Sequence, residues 1–515
     1  MLNGTCGAFL NDVEDFPRLN PKTLLAASMA IARFRGFLSK VDDFHGVRNI
    51  FSCSLKTEFR GRRQPRDEAT RLLFERISPI GDPTASMVPV LDQWVKEGNE
   101  VNKSQLTNII KDLRSFKRYS HALQISMWMS EKRYIELTSS DISVRLDLVS
   151  KIHGIEEAES HFNNVPVHQR SLEVYGALLN CYANAKCVEK AEGLMDKMRD
   201  LGFARGSLVY SVLLGLYQQT GNYGKMENLV EEMEEKRIRL NSHAYCILLN
   251  AYRTKSDTSK IDEVLKKAES DDVYGKHWSV YSNAAHGYLE AGLVDKAVTT
   301  LRYAEEFITG DRRNHLAYEF LMTQYAKAGK RDDVLRVWKI YNKKKRVLNK
   351  GYISFISSLL RLDDIESAEQ VFDEWKVKGL SLDIRIPNLL IKHYCKKDLL
   401  EKAKAVIEEI ISKGVKPNEQ TWLYLASCYL EEGRSQEAVE AMKKSLREAT
   451  SIDISEWTHY NDVLEACLKF LKEEGNIKEA EEFVQLLEQQ GNASPVVSQR
   501  FLQYVTGENP KPEEQ

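Results

Sequence analysis

The chain has 515 residues, of which 43% are hydrophobic and 29% charged, with 12 prolines and a formal net charge of -2. This composition excludes a collagen-like or wholly disordered chain, and the near-neutral charge excludes a protein that holds nucleic acid through a molecule-wide basic field. No apolar run approaches the roughly 20 residues of a membrane-spanning helix, and the 8 cysteines include no C-x-x-C pair, so zinc-ribbon, redox-motif and disulfide-framework readings fall away.

Residues 1–66 hold 11 Lys/Arg against 6 Asp/Glu, which leaves 62 basic and 69 acidic residues, a net of -7, in the remainder. Any grip on a polyanion by that remainder therefore requires a local basic stripe. From Met29 onward, Arg33, Arg35, Lys40 and Arg48 interleave with Phe34, Phe37, Leu38 and Ile50. That acid-poor, amphipathic pattern is how an organelle transit leader reads, and the excess of arginine over serine favours a mitochondrion over a chloroplast. Asp12, Glu14 and Asp15 precede it, so Met29 is a candidate for the true start. A disordered basic arm is the other reading of this stretch.

Residues 67–102 read as a degenerate or capping helical hairpin, and residues 103–496 as a repeat array. Its register is carried by Leu106, Ile142, Tyr175, Tyr210, Tyr245, Tyr281, Tyr318, Tyr352, Pro387, Trp422 and Leu464, spaced 33 to 37 residues apart with one final step of 42. Seven residues after each anchor comes a second series, Tyr182, Tyr217, Tyr252, Tyr288, Tyr325 and Tyr394 among them, two helical turns on along the same face. These rings are expected to be core packing. Gly154, Gly221, Gly292, Gly329, Gly433 and Gly475 then mark a turn, and a small or apolar residue such as Ala158, Ala297 or Ala438 opens a second apolar seam. Trp128, Trp338 and Trp375 fall on those second seams. Each unit is thus an antiparallel helical hairpin that cannot bury both faces alone, so about eleven of them must stack. The fold class is all-α, a solenoid of helix-turn-helix repeats of about 35 residues. Residues 497–515 read as the C-terminal end, in which Asn509 to Gln515, with Pro510, Pro512, Glu513 and Glu514, read as a disordered tail.

The stretch Val209-Tyr210-Ser211-Val212-Leu213-Leu214-Gly215-Leu216-Tyr217, followed by Gly221-Asn222-Tyr223 and Leu229-Val230-Glu231-Glu232-Met233, resembles the pentatricopeptide repeat consensus. The close Lys413-Gly414-Val415-Lys416-Pro417-Asn418 is similar to that family's repeat ending, and the tetratricopeptide W-x-x-L-G-x-x-Y signature is absent. With Leu73 to Pro83 leading into an uninterrupted array, the chain looks like the plant mitochondrial members made of repeats only. The resemblance implies a right-handed superhelix whose concave wall is lined by first helices. It also implies one RNA base per repeat, read by the residue after the anchor together with the last residue of the unit.

On that scheme Ser211 with Asn241, and Ser282 with Asn314, match the hydroxyl-plus-asparagine pairing associated with adenine, and Asn388 with Asn418 the double asparagine associated with pyrimidines. The same residue types also suit helix caps and turns. Gly176 with Gly206 offers no reading group, Cys246 with His277 is unassigned, Glu319 would repel phosphate, and Ile353 and Leu423 cannot hydrogen-bond a base. Lys343-Lys344-Lys345-Arg346 suits phosphates or, more simply, a solvated hairpin end.

No His-x-Glu, Gly-rich phosphate loop or nucleophile elbow occurs, so neither catalysis, a metal, a cofactor nor a small-molecule substrate is expected. The expected function is a binding protein, not an enzyme, that occupies single-stranded organellar RNA in transcript processing, stability or translation, alongside RNA-processing or ribosomal proteins. The alternative is a protein-interaction scaffold, for example on a mitoribosome.

Overall fold

The computed structural model describes residues 68–82, 84–133, 135–308, 314–343, 347–448 and 457–489, and these form 24 α-helices, one short 3-10 turn at Val167–Gln169 and no strand. The leader expected at 1–66, Met29 included, the C-terminal end expected at 497–515 and residues 344–346 of the basic run lie outside the described residues. The chain divides into two compact units, 1–216 and 217–515.

In the first unit the helices are α1 (Glu68–Ile77), α2 (Val88–Lys96), α3 (Lys103–Ser115), α4 (Tyr119–Glu131), α5 (Ser139–His153), α6 (Ile155–Asn164), α7 (Leu172–Asn184) and α8 (Val188–Asp200). Helix α9 (Ser207–Thr220) begins in the first unit and ends in the second. The second unit continues with α10 (Tyr223–Glu235), α11 (Ser242–Thr254), α12 (Thr258–Glu269), α13 (Trp278–Glu290), α14 (Val294–Glu306), α15 (His315–Lys327), α16 (Arg331–Asn342), α17 (Asn349–Arg361) and α18 (Ile365–Val377). It ends with α19 (Arg385–Lys396), α20 (Leu400–Ser412), α21 (Glu419–Glu431), α22 (Ser435–Glu448), α23 (Trp457–Glu473) and α24 (Ile477–Gln489).

Local chemistry sets these boundaries. Asn102, Thr138 and Asn418 each cap a helix reciprocally: the cap side chain accepts from the backbone three residues on, and the side chain there accepts from the cap's own N–H. The turn inside each hairpin needs one residue in the left-handed region, and Gly154, Gly221, Gly292, Gly329, Gly433 and Gly475 supply it with φ between 67° and 89°. Lys117, Lys186, Ser256, Asp363 and Asp398 do so without being glycine.

Within each unit consecutive hairpins stack. In the first unit α5 packs on α7, and α6 wedges against α7. In the second unit α11, α13, α15, α17, α19, α21 and α23 pack in succession as one layer, and α12, α14, α16, α18, α20 and α22 each pack on their own first helix and on the next. The anchors fill the space between the layers: Tyr210, Tyr245, Tyr281 and Tyr352 are buried, as are Tyr252, Tyr288, Tyr325 and Tyr394 of the second series. Ala158, Ala297 and Ala438 are fully buried at the seams, where their small side chains let helices approach. Trp128, Trp338 and Trp375 are buried on second helices, and Trp338 stacks on Phe355 with ring centroids 4.3 Å apart. Gly351 is obligatory at its site because a Cβ there would overlap the Tyr341 ring. Fully burying one Leu or Phe side chain contributes about 1.5–3 kcal/mol, so the distributed core, with no single large centre, stabilises the array.

The tyrosine hydroxyls have a further role. Tyr288 donates to Asp262 at 2.5 Å while Lys296 pairs with the same carboxylate at 2.5 Å and lies 4.4 Å from the Tyr288 ring centroid. Tyr325 with Arg336 on Glu305, and Tyr394 with Lys402 on Glu369, repeat the arrangement. In each case both helices of one hairpin clasp the second helix of the hairpin before it. Burial raises all three tyrosine pKa values, and the neighbouring carboxylates raise them further.

Candidate nucleic-acid interface

Counting each anchor as the fourth residue of its unit, the second, fifth, ninth and thirteenth residues of a first helix fall on one face, because steps of three and four are one helical turn. On α17 these are Lys350, Ile353, Ser357 and Arg361, and on α19 Arg385, Asn388, Lys392 and Lys396. Lys350, Arg361, Arg385 and Lys396 are exposed, while the opposite faces of both helices are buried, so this face is a wall open to solvent.

The three sequence-selected pairs behave differently on it. Asn388 and Asn418, 30 residues apart, are brought into direct contact: Asn388 Nδ2 donates to Asn418 Oδ1 at 3.0 Å. The Thr421 hydroxyl lies 2.8 Å from Asn388 Oδ1 and 2.9 Å from Asn418 Oδ1, and Asn418 Oδ1 also accepts from Thr421 N at 3.2 Å. Ser282 is fully buried on α13 and its Oγ has no hydrogen-bond partner, and Nδ2 of Asn314, the N-cap residue of α15, is likewise buried and unpaired. These open donors and acceptors are costly unless something fills them. Ser211 lies in the first of the two compact units and Asn241 in the second. Ser211 Oγ donates to Ser207 O at 2.7 Å, and Asn241 Oδ1 caps α11 by accepting from Ala244 N at 2.7 Å.

Glu319 does not confront a phosphate as the sequence suggested. Its side chain turns into the protein, 7% exposed, where Tyr341 donates to it at 3.0 Å. Burial raises its pKa, against the opposing hydrogen bond from Tyr341 and the charge of Lys350. One hairpin earlier, Arg253 of α11 holds Glu290 of α13 at 2.6 Å, and His286 Nε2 lies 3.2 Å from Glu290 and 3.1 Å from Lys327 Nζ. Burial by itself would raise Glu290, but His286 and Arg253 hold it down to about 2.

What sequence reading passed over is the charge of the wall. On α15, α17 and α19 the wall positions carry Lys327, Lys350, Arg361, Arg385, Lys392 and Lys396, and their one acid is the buried Glu319. Arg385 is paired with Asp383 at 2.6 Å, and Lys392 Nζ lies 5.4 Å from the Tyr424 ring centroid. The stripe ends at Glu290 on α13 and Glu431 on α21, which occupy the thirteenth position. A signal for it exists in the sequence: Lys327, Arg361 and Lys396 recur with the repeat, each eight residues after its fifth position. Among the described residues no group of His, Cys, Asp and Glu is arranged to hold a metal ion, and no helix is long and apolar enough to cross a membrane.

Comparison with known proteins matches the repeat pattern. The profile described as PPR repeat matches residues 173–203, 352–380 and 386–415, and the pentatricopeptide repeat domain profile matches 193–255. A mitochondrial pentatricopeptide repeat-containing protein of Arabidopsis thaliana is 40% identical over 424 residues, covering 82% of this chain and 85% of that protein. The large ribosomal subunit protein mL101 (rPPR4) of the same plant is 41% identical over 416 residues, covering 81% and 84%. Among solved structures, that of the pentatricopeptide repeat protein PPR10 from maize superposes with a TM-score of 0.50 at 15% identity, over 81% of this chain. The chain spans 62% of that structure's length.

Proposed function

The chain belongs to the pentatricopeptide repeat family, and from that premise we propose that it binds single-stranded RNA in a mitochondrion and acts by occupying it, without a catalytic step of its own. The observation that carries this reading is the cationic stripe on α15, α17 and α19, which gives a chain of near-neutral charge a local surface for phosphates. The unfilled polar atoms of Ser282 and Asn314 support base recognition at one step beside it. The names of several relatives place those proteins in mitochondria, in keeping with the basic leader from Met29. Ultraviolet crosslinking of the tagged protein in isolated mitochondria should recover RNA well above an untagged control. Recovery at background would reject the reading.

A second reading, a scaffold on a mitoribosome, has one observation in its favour: the 41% identity to a protein named as a large ribosomal subunit component. Sedimentation of the tagged chain with large subunits after ribonuclease treatment would favour it.

A further inference from the structure

We propose that the wall of α15, α17 and α19 grips the sugar–phosphate backbone of RNA without reading its bases, so that this segment selects a strand and not a sequence. The inference rests on the RNA-binding reading above and narrows what that surface recognises.

Four consecutive fifth positions are closed to a base. Glu319 on α15 is buried and engaged by Tyr341. Ile353 on α17 and Leu423 on α21 have no polar atom to offer. Between them, Asn388 is 4% exposed, with its amide nitrogen donated to Asn418 and its oxygen lying against the Thr421 hydroxyl, itself fully buried. The Asn388–Asn418–Thr421 network therefore latches α19 to the cap of α21. A base could use Asn388 only by displacing bonds whose groups are already shielded from water.

The charges, by contrast, stand at the open edges of the same helices. Arg361 and Lys396 are exposed at the thirteenth position, where Lys327 is half-buried, and Lys350 is exposed at the second, with the half-buried Lys392 at the ninth. Long flexible cations of this kind hold phosphate as point charges and carry no sequence information. The contrast with the neighbouring step is sharp, because Ser282 and Asn314 keep unpaired polar atoms where the cation stripe ends.

The test is fluorescence anisotropy of the full chain with several labelled single-stranded oligoribonucleotides of unrelated sequence, titrated over salt. The variant Arg361→Gln/Lys392→Gln/Lys396→Gln should weaken binding to every strand by the same factor and make the salt dependence shallower by about 2, given a slope of about 0.7 per phosphate for single strands. The variant Asn388→Ala/Asn418→Ala should keep the order of preference among the strands. A loss confined to some sequences in the charge variant, or a changed preference in the asparagine variant, would overturn the proposal alone. Should the asparagine variant lose cooperative unfolding, the charge variant decides. Failure of the unaltered chain to bind any strand would overturn the RNA reading and this proposal with it.

Discussion

At the scale of single residues the backbone of the hairpin turn outranks the side chain that occupies it. Lys117, Lys186, Ser256, Asp363 and Asp398 hold φ between 55° and 60°, where Gly154 or Gly292 stands in other hairpins. An L-residue there costs about 1–2 kcal/mol, while glycine adds unfolded-state freedom that offsets part of the gain. Lys186 is exposed, so Lys186→Gly should stabilise the chain by about 0.5–1 kcal/mol, read as a raised thermal midpoint. An unchanged or lower midpoint would mean the turn stores no strain. The sequence showed the glycine turns and hid the others, because nothing in a lysine or aspartate announces a left-handed backbone. The asparagines teach the same lesson: Asn241 and Asn418 are caps, and only the fold separates the latched Asn388–Asn418 from the unfilled Ser282 and Asn314.

Between elements, the tyrosine–carboxylate–cation clasps tie successive hairpins together. Tyr325 is fully buried and donates to Glu305, which is also held by Arg336 at 2.7 Å. Removing that hydroxyl leaves the ring in place and takes away one hydrogen bond to a charged group, a loss of about 1.5 kcal/mol. Tyr325→Phe should therefore lower the thermal midpoint by a few degrees with unchanged helical content. A midpoint equal to the parent's would show the clasp to be neutral. Periodicity put the rings in the core correctly, but the partners lie 20 to 26 residues away on a second helix, and no pattern of hydrophobicity encodes where a hydroxyl points.

Over the whole molecule, imidazoles drawn partly out of water, with His286 the most buried, bear on the acid side of stability. His161, His243, His277, His286 and His393 all titrate below the ordinary value, burial being the first cause in each; His286 is also lowered by Lys327 and Arg253 against the pull of Glu290. The unfolded chain binds protons at these sites below about pH 6.5 where the folded chain does not, so stability is lost as pH falls through that value. The thermal midpoint should decline from pH 7.5 to 5.5, ahead of the carboxylates: Glu290, at about 2, keeps its contribution until far lower pH. His286→Gln should flatten that decline, whereas a flat profile in the parent chain would contradict the lowered imidazole titrations.

The sequence by itself determined the all-helical hairpin array, its register and its family. Those follow from apolar spacing repeated many times, and repetition makes a weak local signal strong. Only the tertiary structure decided which polar residues are available to a ligand. Availability depends on partners 22 to 33 residues away along the chain: Tyr341 for Glu319, Asn418 and Thr421 for Asn388, and none for Ser282. The basic stripe belongs to both levels. Its lysines and arginines recur visibly in the chain, but their assembly on one open wall exists only once α15, α17 and α19 are stacked.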